Sequence, residues 1–169
     1  MPSTTRDRRT EEQFLRFHLI PDTNVMLPVR HLTEVLNIPL GQIMPIPQMP
    51  SWVMGVYNWR GEVLWMVDLG ALVGLTATHQ KGLAVSSHRA VVLHPGHSDA
   101  HSSRNQMLGL VVSRVEDIEW CNRDEIQSPP ATAVTSALAP FLQGYWLKTN
   151  GDMIIALDGD SILAAMPKS

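Results

Sequence analysis

Two stretches far apart in the chain spell the same pattern. Gly61-Glu62-Val63-Leu64-Trp65-Met66-Val67-Asp68 is glycine, acid, apolar run, aspartate; so is Gly151-Asp152-Met153-Ile154-Ile155-Ala156-Leu157-Asp158. Leu72 and Val73 follow the first at the same offsets as Ile162 and Leu163 follow the second. Pro50 and Gly55 precede the first unit, and Pro140 and Gly144 precede the second at nearly matching distances. A glycine suits the turn, an apolar run of this length suits a buried strand, and an aspartate at its end suits a helix cap. The runs are almost continuously apolar, which predicts strands with little solvent-facing polar character and places Val63 to Val67 in the core. A repeated unit of this kind predicts a pseudo-twofold pair of small barrels packed around a shared core.

The rest of the chain fits a β-rich reading. Residues 1–12 are polar and charged, a tail expected to be disordered and without the apolar segment of a signal peptide. Phe14, Phe17 and Leu19 begin a strand, and Pro21-Asp22-Thr23-Asn24 turns the chain before Val25 to Val29. Leu32, Val35 and Leu36 stand at helical spacing after Arg30-His31 and predict a short helix or turn. Pro45, Pro47 and Pro50 forbid a helix and suit an extended or loop segment. Arg89 to Leu93 and Met107 to Val115 read as strands, joined by a long hairpin loop, HPGHSDAHSSRNQ. Asp160-Ser161 before Ile162 to Met166 predicts a short terminal helix. Short strands, many turn signals and brief helices together predict a mainly β barrel architecture.

Composition excludes several function classes. With 169 residues the chain is one domain, or two small subdomains sharing a core. A net charge of −3 opposes non-specific nucleic-acid binding, which needs an excess of cations. The single cysteine, Cys121, precludes an internal disulfide and suggests a reducing, cytoplasmic setting. No run approaches the length of a membrane span, so no direct membrane insertion is expected.

Catalytic chemistry finds little support. Asp68 and Asp158 form a carboxylate pair on paper, but at a strand end before a helix an aspartate caps. Ser86-Ser87-His88 and Ser161 lack the glycine-flanked nucleophile turn of a hydrolase, and no phosphate-cradling glycine motif occurs. Cys121 has no neighbouring base in sequence. His94, His97 and His101 have ligand-like spacing, which would make the alternative a His-loop metal-binding protein or metalloenzyme. They sit in a Ser/Gly/Pro-containing loop rather than on a rigid framework. Trp52, Trp59, Trp65, Trp120 and Trp146 could serve a single-stranded nucleic-acid binder as stacking platforms, but no basic cluster accompanies them. Core filling and protein–protein contact fit these tryptophans better.

GVYNWRGEVLWMVDLGALVGL resembles the signature segment of the CheW family, a G-x-x-N-x-R-G-x-x-x-P-V-x-D-L pattern. FLRFHL, VRHLTEVLNIP, PIPQMPSWVMG, LGLVVSRVEDIEW, EIQSPP and PFLQGYWLKTNGDMIIALDGDSIL resemble further blocks of that family in the same order. The resemblance runs from Gln13 to Ala165. It implies a single domain over 13–166 made of two interlocked five-stranded, SH3-like β-barrels, which the internal echo suggests independently. It also implies a non-catalytic scaffold without a cofactor, coupling methyl-accepting chemoreceptor tips to the regulatory domain of a CheA-type histidine kinase. Such an adaptor would be cytoplasmic and recruited to membrane receptor arrays.

Carried over by position, the resemblance assigns a receptor-binding groove to Leu32, Glu34, Gly55, Arg60 and Gly61, with Glu34 and Arg60 approaching one another. It suggests kinase contacts near Val111, Val112, Val115, Ile154 and Ile155. Trp65 departs from the family's usual proline and Trp59 from its usual leucine. These choices resemble the adaptors of pilus-based twitching and phototaxis systems more than flagellar ones.

Overall fold

The computed structural model describes residues 11–39, 41–75, 87–95, 107–128 and 135–166. Among the described residues, ten strands and two short helices follow one another: β1 (Glu11–Leu19), β2 (Thr23–Pro28), β3 (Leu32–Pro39), β4 (Val53–Trp59), β5 (Glu62–Asp68), α1 (Leu69–Leu72), β6 (Ser87–Leu93), β7 (Leu108–Val112), β8 (Arg114–Asn122), β9 (Leu142–Leu147), β10 (Met153–Leu157) and α2 (Gly159–Ala164). They form two five-stranded sheets, ordered β3-β6-β7-β5-β4 and β8-β1-β2-β10-β9. The first sheet is drawn from the middle of the chain and the second from its two flanks. Each has one parallel pair, β5 with β7 and β10 with β2, and is otherwise antiparallel.

Each sheet curls until its ends meet, and the closing device is the same in both. Met44, beyond β3, exchanges two backbone hydrogen bonds with Val56 of β4, at 2.8 and 2.9 Å. Gln127, beyond β8, exchanges two with Tyr145 of β9, both at 2.8 Å. A glycine stands immediately before each receiving residue, Gly55 in β4 and Gly144 in β9. Both strands bulge just ahead of that glycine, where the register slips between Val53 and Gly55, and again opposite Ala156 and Leu157. The parallel continues downstream, where Asp68 donates its amide to Trp52 and Asp158 donates its amide to Phe141, each at 2.8 Å.

Alternation along each strand sorts side chains into three apolar layers. Phe17, Leu19, Val25 and Leu27 from one sheet meet Val67, Val91, Leu93 and Leu110 from the other in a layer common to both barrels. Leu69 and Ile162 of the two helices seal it. Ile38, Leu64, Met66, Val92 and Val111 fill the interior of one barrel; Phe14, Met26, Cys121, Ile154 and Ala156 fill the other. In β5, Leu64 and Met66 point into the barrel while Trp65 and Val67 pack on the shared layer. Burial on both faces explains the near-continuous apolar run. Val63 is the exception to the expected core stretch: it lies past the edge of the shared layer and is 70% exposed.

Three further expectations are corrected. The segment Leu32 to Leu36 is not helical: a single 3-10 turn, Val29–His31, leads directly into β3. Burial there alternates residue by residue, but Glu34 holds one inward place and hides the period-2 signal. The run Met107 to Val115 is two strands, because the chain leaves one sheet for the other at Ser113, whose amide donates to His18 at 3.0 Å. Of the tail expected over 1–12, residues 1–10 lie outside the described residues, and Glu11 and Glu12 already belong to β1. Strands β6 and β7 pair antiparallel as the expected hairpin does, and residues 96–106 between them lie outside the described residues.

Candidate functional site

The β4–β5 hairpin turns on two residues, Arg60 and Gly61, between the paired Trp59 and Glu62. Their φ angles are +53° and +80°. Positive φ at both central positions marks the turn whose twist matches that of the flanking strands. Asn58 supports it by accepting the Gly61 amide on its side-chain oxygen at 3.2 Å. Gly61 meets the conformational demand freely, with open space where a Cβ would stand. Arg60 does not: a left-handed conformation costs a non-glycine residue about 1–2 kcal/mol. Asparagine or glycine would avoid that strain, so an arginine here points to a job for its side chain.

The guanidinium is met by Glu34 of β3, with Nη2 2.9 Å from Oε1. Strands β3 and β4 are the two ends of their sheet, so the Met44–Val56 closure is what brings this pair together. Trp59 completes the cluster. Its indole Nε1 donates to the same Glu34 oxygen at 2.7 Å, and the Arg60 guanidinium carbon lies 4.9 Å from the centroid of its ring. The arginine side chain is 67% exposed and the glutamate 29%, so the cation faces outward on a partly sheltered carboxylate. An exposed pair of this kind contributes only about 0–1 kcal/mol to folding.

Of the five residues expected at the groove, Glu34, Arg60 and Gly61 come together. Leu32 is half-buried against the layer shared by the barrels. Gly55 is buried at the closure, with a φ of +140° and the Met44 carbonyl where a side chain would be. Trp59 is the member that sequence reasoning missed. Its signal was its place as the last residue of β4 before the Arg-Gly turn, which fixes it beside whatever the arginine meets.

The residues expected at a kinase face are otherwise employed. Val111, Val112 and Ile154 are fully buried, in barrel interiors or the shared layer, so their side chains are closed to a partner. Val115 and Ile155 are half-buried against the shared layer. On that second sheet, Ile118 and Trp120 of β8, and the cross-strand pair Leu147 and Met153, are the large apolar side chains left exposed.

Asp68 and Asp158 both cap the helix that follows. Asp68 accepts the Ala71 amide at 3.1 Å, and Asp158 accepts the Asp160 amide at 3.1 Å and the Ser161 hydroxyl at 2.9 Å. Among the described residues no group of three His, Cys, Asp or Glu side chains is arranged to hold a metal. His94 is half-buried, with Nδ1 2.9 Å from the Pro95 carbonyl oxygen; His97 and His101 lie outside the described residues. Among the described residues no helix is long and apolar enough to cross a membrane.

Cys121 is buried, and its thiol is pushed up to about 12, first by burial and then by the carboxylates of Glu125, Glu119, Glu11 and Glu12. At pH 8 the thiolate fraction is then on the order of one in ten thousand. Alkylation by iodoacetamide is expected to proceed at the rate of global opening, and to become fast in urea. Rapid labelling of the folded protein would contradict this burial. The sign of the linkage follows: between the ordinary thiol range and about 12 the unfolded chain ionises first, so this group lowers stability as pH rises through that window.

The comparisons with known proteins agree with this architecture. A family model described as a CheW-like domain matches residues 13–166. The chemotaxis protein CheW of Rhizobium meliloti (strain 1021) is 31% identical over 118 residues, 70% of this chain and 67% of that protein. Its namesake from Helicobacter pylori (strain ATCC 700392 / 26695) is 27% identical over 130 residues, 77% of this chain and 70% of that one. Protein FrzA of Myxococcus xanthus is 39% identical over 61 residues, 36% of each. The crystal structure of scaffolding protein TtCheW from Thermoanaerobacter tengcongensis superposes with a TM-score of 0.68 at 24% identity, covering 87% of this chain and 88% of that one, a likeness of fold.

Proposed function

Since the chain belongs to the CheW-like domain family, we propose that it is a non-catalytic adaptor that couples the cytoplasmic tip of a methyl-accepting chemoreceptor to the regulatory domain of a CheA-type histidine kinase. Residues 13–166 act in this reading as one unit of two related halves, working in the cytoplasm and recruited to receptor arrays at the membrane. The observation that carries it is the Arg60 turn: a strained backbone presents a cation at a barrel rim, already paired with Glu34. Such a group adds little to folding, but an arginine fixed by a carboxylate makes a directional contact for a partner. Gly61, with nothing near its missing side chain, leaves room for a receptor helix to approach. Trp59 and Trp65, which stand where the family usually has leucine and proline, support assigning the output to pilus-based motility or phototaxis.

The test is recruitment. Arg60→Ala and Glu34→Ala are each expected to keep the far-UV spectrum and shift the melting temperature by only a few degrees. Each should weaken co-sedimentation with receptor-bearing membranes by about tenfold or more, as removal of a central arginine contact does. Wild-type assembly by both variants would overturn the assignment of this site.

A further inference from the structure

The Trp59 indole is tied to both members of the rim pair, whereas a leucine in its place could reach neither with a hydrogen bond. It donates to Glu34 and lies under Arg60. Its own position is fixed from below, since the ring packs on the interior layer of Ile38, Leu64 and Met66. Trp59 donates a hydrogen bond to Oε1 of Glu34 and Nη2 of Arg60 forms its ion pair with the same oxygen, so one carboxylate holds both side chains. The guanidinium is thereby constrained at its edge by an anion and on its face by a ring. Five N–H groups in a fixed fork are available to an arginine, and Glu34 is met through Nη2.

The other barrel supplies a contrast built from the same ingredients. Trp146 donates its indole N–H to Glu125 at 3.1 Å, and Lys148 lies 5.8 Å from the Trp146 ring centroid while pairing with Glu119. There the cation is 21% exposed and Arg16 pairs with the same glutamate, so that cluster is turned inward on itself. Around Arg60 the cation is turned outward.

We propose that Trp59 is a positioning residue: it orders the Arg60 guanidinium before the partner arrives, so that recognition selects a planar pair of acceptor oxygens, a carboxylate, on the receptor tip. This rests on the receptor-binding reading above. Its physical content is that immobilising a rotamer-rich arginine costs side-chain entropy on association, and Trp59 moves that ordering into the free protein.

Two measurements test it, one of which needs no partner. In the free protein, the Arg60 side-chain Nε–Hε group should show the relaxation of an ordered site, with its δ-methylene resonances shifted upfield by the indole. Trp59→Leu should abolish both with the melting temperature little changed, and Trp59→Phe should keep part of the upfield shift while losing the Glu34 anchor. A mobile Arg60 in the unaltered protein, or an equally ordered one in Trp59→Leu, would overturn the proposal even if the receptor reading stands. The second is a double-mutant cycle on recruitment. Trp59→Leu should weaken binding several-fold in the unaltered background and have no effect in Arg60→Ala. Additive losses would show that Trp59 acts independently of the arginine and would sink the inference. Should Arg60→Ala leave recruitment intact, the receptor reading fails, and the resonance measurement alone decides the ordering of Arg60.

Discussion

Gly55→Ala is expected to cost about 3–5 kcal/mol of stability and to leave a protein that is largely unfolded or insoluble at growth temperature. An added Cβ would stand 2.6 Å from the Met44 carbonyl carbon and 2.9 Å from the Pro45 Cα, with the Met44 oxygen closer still. All three neighbours are backbone, so no side chain can swing aside. The φ of +140° is in addition a region that essentially only glycine occupies, worth of order 1–3 kcal/mol. Relief requires breaking the Met44–Val56 closure, which forfeits two hydrogen bonds at about 1 kcal/mol each. Against a total of roughly 5–15 kcal/mol this is a severe loss. Gly144→Ala is the matched comparison. Its Cβ would meet the Gln127 carbonyl oxygen and Ile126 Cγ2, each at 2.6 Å, but no left-handed backbone adds to the penalty. Urea denaturation should therefore order the three proteins as wild type, Gly144→Ala, Gly55→Ala, and a wild-type midpoint for Gly55→Ala would refute the closure argument.

Phe17→Ala is the second large effect. Phe17 is fully buried in the layer where the two sheets meet, and truncating a phenylalanine there costs about 3–5 kcal/mol. The distinctive expectation is where the loss is felt. Because both sheets contribute to one layer, amides of β2 and of β6 should lose hydrogen-exchange protection together. A variant in which β6 keeps full protection while β2 loses it would show that each barrel is held up by its own interior instead.

The repeated unit was legible in the sequence because it is local. Glycine, acid, apolar run and capping aspartate lie within a few residues of each other, and the structure buries the two copies alike: Leu64 and Ile154 inside, Trp65 and Ile155 half-buried, Val63 and Met153 exposed. Trp65, odd as a sequence feature, is ordinary as the half-buried outer residue of a strand covered by the second barrel. What sequence reasoning missed depends on distant partners. β3 does not read as a strand in the sequence because the charged Glu34 occupies one of its inward positions. The change of sheet at Ser113 leaves no mark on an apolar run that continues through it. Gly55 is assigned to the receptor groove by resemblance, and only the carbonyl of Met44, supplied from beyond β3, reveals its part in closure. In the candidate site, the approach of Glu34 to Arg60 was expected from family resemblance, whereas the indole joining them was not.

The interleaved order of the strands also has a temporal meaning. As the chain leaves the ribosome, β3 to β7 emerge as a consecutive set, so the barrel that bears Arg60 can close while synthesis is still under way. β1 and β2 emerge earlier but must wait, since their neighbours β8 and β10 are made after β7. Until then they expose strand edges that nothing has yet paired, the feature that makes nascent β proteins prone to aggregate. The younger half of the polypeptide completes the older, and translation of the last strand is the moment at which the second barrel can first close.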